Sequence, residues 1–308
     1  MFSKKLLIPL LSLSLLVTPA YSSHAAENTE AAGTSVESQG MLSPSSSSES
    51  SESVFNGSGA GTSSEPVTDE KLETILKQVQ SQLPAENGTW AVFISDLVNG
   101  TEGSINDQKM QAASLIKLYI MGAVYENYDQ ITGQYGRDSV DSNLYSMITV
   151  SDNDAANTLT TYLGGGDSAA GMQAVNSFCQ AHGYDQTHMG RMLLASNEND
   201  DNYTSVGDCG HLLQEIYKQD TSGYTHAADM FNLLKAQTRC NKIPAQLPEG
   251  VKTANKTGEL DNVENDAGII YDSKNDVVIV FMSQNLSSAG SAQNTIATLS
   301  RTIYDYYN

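Results

Sequence analysis

Ala112-Ala113-Ser114-Leu115-Ile116-Lys117 opens an apolar run that reads as a helix to about Tyr128. A serine three residues before a lysine puts the two side chains one helical turn apart on the same face, within mutual reach. A serine hydroxyl is a weak nucleophile until a nearby base takes its proton. Lysine can be that base only if its reference pKa, roughly 10.4, is pushed down by burial or by a neighbouring cation. Among all the lysines of the chain, only Lys117 has a serine at this spacing.

Two further short motifs follow in order, Ser151-Asp152-Asn153 and Lys256-Thr257-Gly258. Each alone is commonplace, the first as a helix cap and the second as a strand end. The stretches around them predict an α+β fold. Leu72, Ile75, Leu76, Val79 and Leu83, after Thr68-Asp69-Glu70, have the spacing of an amphipathic helix with an N-cap. Trp90, Val92 and Ile94 alternate as in a strand, and Asn99-Gly100 signals a hairpin into a second strand near residues 103–106. Residues 144–217 read as several helices broken at Gly164-Gly165-Gly166, at Gly183 and by a polar loop over 196–203. Strand-like runs at 251–257, 267–271 and 277–282 precede a closing helix over 291–307 that carries Ile296, Leu299 and Ile303 on one face. An antiparallel sheet built from both ends of the chain, flanked by the terminal helices, would leave the middle inserted as a helical lobe, with a cleft between.

Composition bounds the rest. Lys4 and Lys5, an apolar core from Leu6 to Val17 and small residues near Ala25 read as a signal peptide over 1–26, too short for a stable span. Residues 27–66 are rich in Ser, Gly, Ala and Glu, with six acidic residues and no Lys or Arg, so they read as a disordered linker. The folded domain is then 67–308, with 14 Lys and Arg against 30 Asp and Glu. That acidity speaks against nucleic acid or anionic lipid as partner. The expected mature protein is a secreted or wall-associated monomer with no membrane span. Three cysteines, Cys179, Cys209 and Cys240, allow at most one internal disulfide and do not say which pair forms it. Neither their spacing nor that of the five histidines suits a zinc site, so no metal or other cofactor is expected.

The three motifs together resemble class A β-lactamases and penicillin-binding proteins. The likeness extends to Met147-Ile148-Thr149-Val150-Ser151-Asp152-Asn153-Asp154-Ala155-Ala156-Asn157, to Gly164-Gly165 and to Leu247-Pro248. It implies the β-lactamase/transpeptidase-like fold and acyl-serine chemistry. By that resemblance Ser114 is the nucleophile and Lys117 its base, with Lys256 as a second cation pressing on Lys117. Ser151 passes a proton to the leaving nitrogen, and Asn153 binds Lys117 and the acylamide. Lys256 and Thr257 meet the substrate carboxylate, and Gly258 leaves a bare strand edge for the substrate. The backbone N–H groups of Ser114 and Glu259 form the oxyanion hole.

Three departures qualify the likeness. Only 37 residues separate Ser114 from Ser151, so part of the helical lobe is expected to be missing and the cleft more open. The strand arginine that class A enzymes carry after the third motif is absent from Asn265-Asp266-Ala267-Gly268. Lys242 matches a position where some relatives supply a substitute cation, although a solvated loop lysine is the commoner reading. Finally, Thr187 and Arg191 match the start of the omega loop, yet Leu193 falls where the family's deacylating Glu belongs. Glu198 and Asn197 are the polar alternatives within that loop. The leading expectation is β-lactam hydrolysis through an acyl-enzyme with slow deacylation. The rivals are a D-Ala-D-Ala carboxypeptidase or other acyltransferase acting on peptidoglycan stem peptides, and a penicillin-binding sensor or inactive wall-binding module.

Overall fold

The computed structural model describes residues 70–308, which lie within one compact unit, Ser63–Asn308. The proposed signal peptide and linker lie outside the described residues.

The sheet draws on both ends of the chain. β1 (Thr89–Asp96) and β2 (Thr101–Ile105) form a hairpin, with Gly100 at φ 69° in the turn. β6 (Lys252–Leu260), β7 (Val263–Tyr271) and β8 (Val277–Gln284) come from the other end of the chain, and the order is β2-β1-β8-β7-β6, antiparallel throughout. β8 sits in the centre and reads as an unbroken apolar run because both of its faces are covered. Val277, Ile279 and Phe281 join Trp90, Val92 and Ile94 beneath α1 (Glu70–Gln82) and α9 (Ala289–Tyr307). Val278, Val280 and Met282 join Ala91 and Phe93 on the opposite face, against the helical lobe.

That lobe contains α2 (Ile116–Glu126), α3 (Tyr128–Tyr135), α4 (Arg137–Thr149), α5 (Asn153–Leu163), α6 (Ser168–Ala181), α7 (Val206–Tyr217) and α8 (Ala227–Lys235). α2 is its axis, since every residue from Ile116 to Tyr125 is buried. α7 lies directly on β1 because a Cβ on Gly210 would come within 2.3 Å of the Phe93 ring. A small second sheet, ordered β3-β5-β4, joins β3 (Met110–Gln111), β4 (His188–Met189) and β5 (Asn202–Thr204). The sequence reading did not anticipate α3, α8 or this sheet. No described helix is long and apolar enough to cross a membrane. All three cysteines are free thiols, with Cys179 and Cys209 buried and Cys240 exposed.

Candidate active site

Ser114 lies in a short 3-10 turn, Ala113–Leu115, just before α2, where the sequence had suggested an α-helix from Ala112 onward. The preceding residue explains the difference. Ala113 has φ 47°, a left-handed conformation that costs a non-glycine residue about 1–3 kcal/mol and persists only where the surroundings fix it. They do so on both sides. Ala112 N–H donates to Asn202 O at 2.9 Å, and Asn265 Nδ2 donates to Gln111 O at 2.9 Å and to Ala112 O at 3.2 Å. Ser114 is thereby lifted to the N-terminal end of a buried helix, where partial positive charge favours an anion.

Ser151 sits between α4 and α5 and is likewise left-handed, at φ 62°. The neighbouring Asp152 caps α5, its Oδ1 accepting from Ala155 N–H at 2.7 Å. Asn153 is consequently in the first turn of α5, facing Lys117. The buried Lys117 Nζ meets Asn153 Oδ1 at 2.6 Å, Ser151 O at 2.7 Å, and the hydroxyls of Ser114 and Ser151 at 3.2 Å each. Lys256, also fully buried, donates to Ser151 Oγ at 2.9 Å and to Thr257 O at 2.7 Å. One chain of contacts therefore runs Ser114, Lys117, Ser151, Lys256, joining α2, the α4–α5 turn and β6.

The electrostatics suit proton transfer. Burial pushes Lys117 down to about 8, against the pull of Asp152 and with help from Arg239. Lys256 is pushed well below the usual lysine range by burial first, then by Lys117 and Arg239. Lys117 and Lys256 repel one another across Ser151, and Arg239 is a further cation acting on both. Arg239 was missed in the sequence because no motif spacing marks it. Its guanidinium is partly exposed and meets Glu259 Oε2 at 3.0 Å, beside the end of β6. In the stretch Asn265-Asp266-Ala267-Gly268, which has no arginine, Asp266 stands opposite Thr257 in the ladder. Burial raises Asp266 to about 6, partly offset by Lys242, and it accepts from Asn255 Nδ2 and Ile243 N–H.

Of the other expected residues, Thr257 is buried on β6, the edge strand. Gly258 is required by close approach, since a Cβ there would lie 2.9 Å from Ala112 O and 3.2 Å from Ser114 N. Lys242 is not the solvated loop lysine that spacing alone favours. It is wholly buried, paired with Glu264 at 2.6 Å and Glu259 at 3.2 Å. Leu193 is buried in the lobe core, and its backbone N–H and C=O are both held by the Asn157 side chain. Arg191 and Asp201 brace the same loop at 2.6 Å. Asn197 and Glu198 are exposed. Asn197 reaches Asp201 at 3.5 Å, whereas the Glu198 carboxylate has no hydrogen-bond or ion-pair partner among the described residues.

A cavity of about 600 Å³ lined by Asp96, Tyr217, Phe231 and Tyr271 takes in none of these residues, so chemistry rather than size marks the site. Among the described residues no group of three or more His, Cys, Asp or Glu is placed to hold a metal ion.

No curated protein sequence matches the chain significantly. Solved structures do. PBP-A shares 22% identity and a TM-score of 0.66 over 76% of this chain and 96% of that one. A β-lactamase from Sphaerobacter thermophilus DSM 20745 shares 22% and 0.64 over 75% and 95%. A leucine-to-glutamate variant of PBP-A, solved as an acyl-enzyme complex with penicillin G, shares 23% and 0.65 over 76% and 96%. At these identities the likeness shows the fold alone. The family is shown by sequence, for the profile of the β-lactamase enzyme family matches residues 71–135 and 135–307. The chain therefore belongs to the β-lactamase enzyme family.

Proposed function

We propose that the protein is an acyl-serine hydrolase that takes β-lactams onto Ser114 and releases them slowly. The observation that carries this reading is the unbroken contact chain from Ser114 through Lys117 and Ser151 to Lys256. With a pKa of about 8, roughly a tenth of Lys117 is neutral at pH 7, enough to accept the Ser114 proton as Oγ attacks the acyl carbon. The Oγ–C bond forms and the C–N bond breaks. Ser151 gives its proton to the departing nitrogen and regains one from the Lys117 ammonium, while Lys256 steadies the Ser151 oxygen. Lys117 ends neutral, and the balance closes without an external reagent.

Release needs a base holding water on the ester carbonyl. Leu193 cannot accept a proton, and Glu198 is solvated and unanchored. Losing a positioned general base costs roughly 10² to 10⁴ in rate, so the ester should persist. The penicillin-G acyl-enzyme of the PBP-A variant supports the acylation half of this reading. The family also supports a second reading, a carboxypeptidase or acyltransferase on D-Ala-D-Ala stem peptides, which shares the acylation step. Export to the cell exterior, by the expected signal peptide and linker, fits either substrate.

Intact-mass spectrometry after mixing with penicillin tests the proposal. A long-lived adduct on Ser114 is expected. Hydrolysis at many turnovers per second with no adduct at early times would overturn slow release. Release of D-alanine from a diacyl-D-Ala-D-Ala peptide would assign the second reading.

A further inference from the structure

Lys242 stands outside the Ser114–Lys256 contact chain, yet it is among the largest wholly buried side chains. Its ammonium meets four oxygens: Glu264 Oε2 at 2.6 Å, Asn265 O at 3.0 Å, Gly258 O at 3.2 Å and Glu259 Oε1 at 3.2 Å. The two carboxylates account for its charge. Glu259 and Glu264 are directly opposite on the β6–β7 ladder, where like charges repel, and one shared cation offsets them. They do not account for the two carbonyls.

Gly258 and Asn265 are the next opposed pair of the same ladder. An ammonium within reach of both carbonyl oxygens sits over the seam between β6 and β7, so the Gly258 carbonyl is turned toward that seam. The peptide joining Gly258 to Glu259 is planar and trans, so its N–H points opposite to its C=O. With the oxygen held at the seam, the Glu259 N–H is aimed off the other side of β6, its free edge. The nucleophile's backbone packs against the same residue, given the 3.2 Å from a Cβ on Gly258 to Ser114 N. Glycine is the residue whose flanking peptides turn most freely, and the ladder ends at Leu260–Val263, two residues further on. Lys242 adds a contact to this peptide beyond those of the ladder, close to where the ladder ends.

We propose that Lys242 is a positioning residue whose buried ammonium locks the Gly258–Glu259 peptide, so that the Glu259 N–H joins the Ser114 N–H in holding the acyl carbonyl oxygen. This rests on the acyl-serine reading above. Lys242 touches no substrate atom in this role. It also screens the Glu259 and Glu264 carboxylates from the negative charge that develops on that oxygen.

The test compares wild type, Lys242→Met and Lys242→Met/Glu264→Gln, the double variant removing one carboxylate along with the cation. Two quantities are read: the acylation step with penicillin, resolved into pre-acylation affinity and rate constant, and the infrared stretch of the acyl carbonyl in the trapped ester. Both variants should acylate about 10² more slowly, as for a lost oxyanion donor, with affinity within threefold of wild type. Their carbonyl band should move to higher frequency, reporting a weaker hydrogen bond. An uncharged ester donor should lose the same factor. If Lys242 instead binds the substrate carboxylate, affinity falls, the uncharged donor is spared, and the proposal is wrong. If it only balances charge, the double variant recovers the wild-type rate and band, which also overturns it. Should the single variant not fold, the double variant reads the same two quantities, and Lys242→Gln/Glu264→Gln replaces it if needed. A wild type that forms no penicillin adduct sinks the acyl-serine reading and this assignment together. A normal wild-type adduct with an unmoved band in the variants sinks this assignment alone.

Discussion

The acylating cluster and the 190–201 loop are built on opposite plans. In the cluster, Lys117 and Lys256 are wholly buried and spend their donors on oxygens of Ser114, Ser151, Asn153 and Thr257. In the loop, backbone groups are well anchored through Asn157, Arg191 and Asp201, but the side chains from Leu194 to Asp200 are exposed, and Leu193 is a buried apolar residue. One region is organised to move a proton. The other is organised to hold a shape. On the proposed reading, such a molecule would open an amide and form an ester far faster than it passes that ester to water.

The comparison can be broken at its strongest point. Ser114→Ala should abolish covalent labelling by a fluorescent penicillin while leaving the melting temperature close to wild type, and undiminished labelling would remove the cluster's claim. Next in size, Lys256→Ala should slow acylation by about 10² or more, as for loss of one charge-stabilising contact. A rate within a few-fold of wild type would confine Lys256 to packing.

Titration sharpens the contrast. Lys117 acts as a base only when deprotonated, and its pKa is held near 8, so acylation should rise with pH, about tenfold between pH 7 and 9. Arg239→Gln removes a cation that depresses Lys117 and should shift the midpoint upward. Asp152→Asn keeps an oxygen to cap α5 but removes the charge that raises Lys117, and should shift it downward. Equal profiles in all three proteins would deny Lys117 the role of base. The smallest effect belongs to the loop. Glu198→Gln should leave the adduct lifetime within twofold of wild type, whereas a large lengthening would show that Glu198 activates the deacylating water.

The site was legible where function is tied to local geometry. Ser114 ends up within reach of Lys117 across the turn that leads into α2, Asp152 caps the helix that presents Asn153, and Lys256 to Gly258 lie consecutively on one strand. Arg239 and Lys242 were not legible in the same way, because each acquires its neighbours only when the segment after α8 packs beside β6 and β7. Spacing could not show that Lys242 would be buried against Glu264. The fold divides similarly. β8 and α9 carry patterns long enough to read, whereas β3 and β4 have two residues each and β5 three, too few to display alternation. α3 buries only Tyr128 and Ile131. α8 is a different case: Ala227, Met230, Phe231 and Leu234 have helical spacing and were there to be read.

The free thiols make the molecule easier to interrogate than its architecture suggests. Burial pushes Cys179 and Cys209 up to about 12, so at neutral pH both are almost entirely protonated and shielded from reagents. Cys240 is exposed and is the chain's one remaining cysteine. It follows Arg239 directly, and Arg239 touches Glu259, the residue after Gly258. A maleimide dye would therefore attach at a single native position beside the mouth of the site, giving an optical reporter of acylation without any engineered cysteine.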